Sequence, residues 1–153
     1  LSLSLGYLLG GRLSVNNPSL QRFAAIFALG AVLLYPLILF AEPVMEFIFL
    51  RIEDPRYGSL MASAFLFILP TVILGMISPY SVRLLVTKVE ESGQVAGTLY
   101  FVSTLGSAIG TLMTSFYFIL WFEVNTVLTL LTVILLMVSG VAMLAARRPS
   151  EGR

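Results

Sequence analysis

Ser103, Gly106, Ser107, Gly110, Thr111, Thr114 and Ser115 recur at three- and four-residue steps inside the apolar stretch AGTLYFVSTLGSAIGTLMTSFYFILW. On a helix of 3.6 residues per turn these positions drift slowly round one broad face. A face without large side chains lets a second helix approach closely in lipid, where dispersion and hydrogen bonding replace the hydrophobic drive. Its hydroxyls can bond across such a contact or back to the carbonyl four residues earlier. This is packing chemistry, and the packing partner is either a neighbour in the same bundle or another protein. Pro70, Gly75 and Pro79 form a second group, in LPTVILGMISPY. Proline removes a backbone donor, so this segment reads as a static kink or as a hinge in a broken helix.

Groups that do covalent or proton chemistry are missing from the apolar runs. The chain has no His and no Cys, which removes the commonest general base, thiol nucleophiles and most transition-metal sites. No Asp, Glu, Lys or Arg lies in the middle of an apolar run, where catalytic and ion-coupling groups of membrane proteins sit. The sequence therefore predicts no catalytic residue, no cofactor and no metal.

The elements that carry these groups are long and greasy. Mean hydropathy is +0.98, and 11% of residues are charged, against about 25% in a soluble domain. Uncharged runs cover 23–41, 57–82, 92–122 and 124–146. Each is long enough to cross about 30 Å of hydrocarbon as a helix, and continuous apolarity favours helices over barrel strands. With the short run LSLSLGYLLGG at the start, read as the second half of a truncated helix, the expectation is an all-α polytopic bundle. Its five segments fall at roughly 1–11, 23–41, 58–82, 94–122 and 124–146, in a domain over 1–146. A stub follows at 147–153.

Charge orients the bundle. Arg12, Arg22, Arg83, Lys88, Arg147, Arg148 and Arg153 fall on one side and Arg51 and Arg56 on the other, seven against two. The bias of Lys and Arg toward the cytoplasm places the first and third loops and the C-terminus inside, in a bacterial inner membrane. Tyr117 and Trp121 suit the outer aromatic belt. In the first loop, Ser19 follows Asn16-Asn17-Pro18 and is positioned to cap the next helix. In the second, PVMEFIFLRI reads either as a short helix lying flat at the interface or as a loop repacked over the bundle mouth. Leu99, Phe101, Leu105, Ile109, Leu112, Met113 and Phe116 oppose the small-residue face and read as lipid-facing or core-filling.

Two blocks, GYLLGGRL and LPTVILGMISPYSVRLL with SGQVAGTLYFVSTLGSAIGTLMTSFYFI, resemble the membrane domain of bacterial spermidine-synthase-like proteins. In these proteins a major-facilitator-like domain is fused to a spermidine synthase. The matching residues are Gly75, Ser78, Pro79, Tyr80, Arg83 and Leu84, then Gly97, Leu99, Tyr100, Ser103, Thr104, Leu105, Gly106, Ser107, Gly110 and Thr111. The resemblance implies a facilitator-like half, an earlier first helix and a cytoplasmic domain that transfers aminopropyl groups to putrescine. This sequence holds no Gly-rich nucleotide loop and no acidic polyamine site of that kind, so no catalytic residue carries over. The loop after GGRL also lacks the acid usual in facilitators.

Together these readings predict a non-catalytic membrane domain of a spermidine-synthase-like protein, an anchor or scaffold held by close helix packing. Its partners are the lipid bilayer and other transmembrane helices, with no nucleic acid. An accessory subunit of a larger complex is one alternative. Part of a polyamine or small-molecule transporter is another. Carboxylates for a polyamine are confined to Glu42, Glu46, Glu53, Asp54 and Glu123, all on the outer side.

Overall fold

The computed structural model describes residues 1–15, 17–86 and 88–147, and every regular element among them is helical. The order is α1 (Ser2–Val15), α2 (Leu20–Phe49), α3 (Pro55–Gly75), α4 (Ile77–Leu85), α5 (Ser92–Met113), α6 (Ile119–Trp121) and α7 (Val124–Arg147). A 3-10 turn at Val89–Glu91 leads into α5, and a π-helical segment at Thr114–Phe118 joins α5 to α6. Four stretches are long and apolar enough to cross a membrane: Leu20–Phe49, Pro55–Leu85, Val89–Trp121 and Val124–Arg147. The 14 residues of α1 reach about 21 Å at 1.5 Å per residue, short of a full crossing. Of the stub at 147–153, residues 148–153 lie outside the described residues.

Local chemistry sets the helix starts. The Ser19 hydroxyl caps α2 by accepting from the Arg22 N–H at 3.2 Å. The Asp54 carboxylate accepts from the Arg56 N–H at 2.9 Å, and Pro55 opens α3, where its missing N–H goes unused. The second loop departs from both sequence readings. PVMEFIF forms neither a separate helix nor a loop: α2 runs unbroken for 30 residues through Pro36 and Pro43 to Phe49. The charges at Glu42 and Glu46 end the apolar run but not the backbone hydrogen bonding, because water at the interface can solvate a carbonyl that Pro43 leaves free. Phe49 then turns back onto α3 over Gly58.

Packing is uneven. α2 lies between α7 and α3, and α1 lies against α3 and α4, whereas α5 has its main contacts outside its own run with α4 alone. The core is thin and centred on α2, at Ala24, Ile26, Ala31, Leu34 and Leu37. One buried hydrogen bond ties the last helix in: the Ser139 hydroxyl of α7 donates to the Ala24 carbonyl of α2 at 2.8 Å.

Candidate functional site

The α3–α4 junction is where backbones come closest. Pro70 is buried inside α3, and the helix runs on through it to Gly75. The break falls at Met76, so of the three residues read as a hinge, Gly75 and Pro79 flank it and Pro70 does not. Pro79 brings no N–H to the Gly75 carbonyl, four residues back, which is the physical reason that the helix stops there. Met76 closes the turn instead by donating to the Ile73 carbonyl at 3.1 Å.

α1 presses its glycines into this break. A Cβ on Gly6 would overlap the Val72 carbonyl oxygen and stand 2.8 Å from the Gly75 Cα. A Cβ on Gly10 would stand 2.6 Å from the Met76 carbonyl oxygen and 2.9 Å from the Pro79 Cγ. Gly6 and Gly10 are a GxxxG pair inside GYLLGG, and with Gly75 they form the tight helix contact of the chain. A second clamp sits nearby. The Tyr80 ring is fully buried and stacks on Phe23 at 5.9 Å. Its hydroxyl accepts from the Ser19 N–H at 3.0 Å and donates to the Ser19 carbonyl at 3.3 Å. The break is thus held on one side by α1 and on the other by the α1–α2 loop.

The small-residue face of α5 is in the opposite condition. No residue of α5 is buried, and the best apolar window of its span is 0% buried, against 33% for α2. Cβ atoms built on Gly106 and Gly110 meet nothing within 4 Å. Ser103, Ser107, Thr111 and Ser115 are exposed and Thr114 is half-exposed. A neighbour within the same bundle, one of the two partners considered for this face, does not cover it among the described residues. The physical reason lies in the topology: α7 returns across the bundle to α2 and leaves α5 standing at the edge.

The face has two edges. Successive residues on a helix point about 100° apart, so Gly106 and Gly110 point well away from Ser107 and Thr111. The glycine edge meets open space. The hydroxyl edge looks across open clefts at the rest of the bundle. One cleft, of about 370 Å³, is bounded by Tyr7 of α1, Gly75, Ser78 and Ser81 at the junction, and Leu99 and Ser103 of α5. The other, of about 650 Å³, lies between Tyr7 and Ser103, Thr104, Ser107 and Thr111. Leu99 and Leu112 line these clefts, so they do not face lipid alone. On this face the Ser103, Ser107 and Thr111 hydroxyls do not return to their own backbone; Thr98, one turn before it, does, bonded to the Gln94 carbonyl at 2.9 Å.

Among the described residues no three His, Cys, Asp or Glu side chains gather closely enough to hold a metal ion. The sequence signal for Gly6 and Gly10 was present as a GxxxG, and Tyr80 stood in the SPY element; neither spacing says which helix it meets. No family model, no curated protein and no solved structure matches the chain.

Proposed function

We propose that this chain is a non-catalytic membrane module, an anchor or scaffold of the spermidine-synthase-like kind, whose α5 receives a further transmembrane helix on its Gly106–Gly110 edge. One observation carries the reading: a span of 33 residues, Val89–Trp121, is essentially uncovered by its own bundle, although it bears the small residues that permit close helix approach. The arginine bias supports a cytoplasmic C-terminus in a bacterial inner membrane.

The test is co-purification from native membranes in mild detergent, comparing wild type with a Gly106→Leu/Gly110→Leu double variant. A Cβ at either position meets open space in the isolated chain, whereas a leucine side chain blocks a close helix contact. The variant is expected to lose whatever transmembrane partner the wild type retains, while remaining monodisperse itself. Retention of the same partner by both proteins would remove this edge from the account.

A further inference from the structure

We propose that the α2–α4–α5 cleft at the basic end of the bundle binds one anionic phospholipid, with an acyl chain in the cleft and the phosphate between Arg22 and Lys88. The cleft, of about 420 Å³, is lined by Leu20 and Phe23 of α2, Ser81, Leu84 and Leu85 of α4, and Leu99 of α5. All but Ser81 are apolar. The Ser81 hydroxyl donates to the Ile77 carbonyl at 2.7 Å, so the lining leaves no side-chain polar group to satisfy. Hydrocarbon is the matched occupant, because it strands no hydrogen-bonding group. The α2 wall is fixed: Phe23 lies between Tyr80, stacked at 5.9 Å, and Phe27, edge-on at 5.0 Å. A second helix does not fit, because two turns with side chains, about 11 Å long and 10 Å across, need roughly twice the volume. The Gly106–Gly110 edge lies about two to three turns further along α5, so this site is separate from it.

Charge selects among lipids. The cleft lies at the end where α2 starts and α4 stops. Among the described residues this end carries Arg12, Arg22, Arg83, Lys88 and Arg147 against Glu90 and Glu91, whereas acids outnumber bases at the other end. Two of the bases flank the cleft itself, one from each wall. Arg22 precedes Phe23 in the first turn of α2, and its Nη1 donates to the Asn17 carbonyl at 3.4 Å, which holds the guanidinium at the level of the loop. Lys88 is exposed three residues beyond Leu85, in the link from α4 to α5. The N-terminus of α2 adds its partial positive charge on the same side. A lipid whose tail fills the cleft therefore brings its phosphate to two cations, and a headgroup with net negative charge gains most from them.

The test is native mass spectrometry of the purified chain in mild detergent, with an equimolar mixture of phosphatidylglycerol and phosphatidylcholine carrying the same acyl chains. Phosphatidylglycerol should be the first lipid bound, by at least about tenfold. Arg22→Gln and Lys88→Gln should each cut that preference by about fivefold, the equivalent of about 1 kcal/mol per base. Arg12→Gln removes the same charge from the same end, but α1 packs chiefly on α3 and α4, so it should leave the preference unchanged. Only variants that elute as monodisperse protein are compared. Lys88→Gln stands on its own if the loss of the Arg22–Asn17 contact harms folding, because the Lys88 side chain has no partner among the described residues. Glycerol phosphate, the headgroup without chains, should not displace the bound lipid even in large excess. No preference between the two lipids would overturn the site. An equal loss in Arg12→Gln would overturn it too, by reducing it to the general attraction of a basic surface. Displacement by glycerol phosphate would remove the acyl chain and the cleft from the account.

Discussion

Replacing Gly6 by alanine should damage this protein, and replacing Gly106 by alanine should not. The added methyl at Gly6 would meet the Val72 carbonyl oxygen and the Gly75 Cα at 2.8 Å, where carbon contacts settle near about 3.5–4.0 Å. Both neighbours are backbone, so no side chain can swing aside. α1 must retreat by on the order of 1 Å, which forfeits a quarter to a half of each close contact along the seam. Overpacking of this kind costs about 1–3 kcal/mol, and each kcal/mol moves the midpoint of a chain this size by about 2–4 °C. At Gly106 the methyl enters open space on a helix, where alanine is the better helix former by about 1 kcal/mol. The assay is the monodisperse fraction of purified protein in detergent after heating, read by size exclusion. Gly6→Ala should lower the midpoint by about 4–8 °C, taking about 2 kcal/mol as the cost. Gly106→Ala should leave it unchanged or raise it. Equal losses at both positions would mean that α5 is packed within its own chain, and the argument about its free edge would be wrong.

Tyr80→Phe keeps the ring stacked on Phe23 but removes the hydroxyl from Ser19; the lost hydrogen bonding should destabilise by about 1 kcal/mol, and Tyr80→Ala by more, in the same heating assay. Ser139→Ala removes the α7–α2 hydrogen bond and should cost about 0.6 kcal/mol, near the average for such bonds in membrane bundles, with no cost at all speaking against its role.

The spans were legible because lipid imposes a length and a composition that few other settings share. Runs at 124–146 and 92–122 lie close to α7 and to the span ending at Trp121. The expected end at 41 fell short of Phe49 because charge marks where lipid ends, while a helix continues as long as its hydrogen bonds are made. Prolines announce freed carbonyls without saying which of them ends a helix: α3 runs on through Pro70, whereas it stops at Gly75, whose carbonyl Pro79 leaves without a donor. GxxxG was the least informative signal in detail. The pair at Gly6 and Gly10 is buried backbone to backbone, and the identical spacing at Gly106 and Gly110 meets nothing. Spacing states that a close approach is allowed; topology decides whether a partner arrives.

The most direct measurement is oxygen accessibility along α5, by spin labels placed singly at Val102 and Met113, which flank the Gly106–Gly110 edge and are exposed in the isolated chain, and at Phe101 and Leu105 away from it, in protein purified from native membranes with its partners retained. The account predicts that labels at Val102 and Met113 are shielded from oxygen and immobilised, while those at Phe101 and Leu105 stay open to lipid. Full accessibility at all four positions would contradict it, leaving α5 an edge helix with no partner.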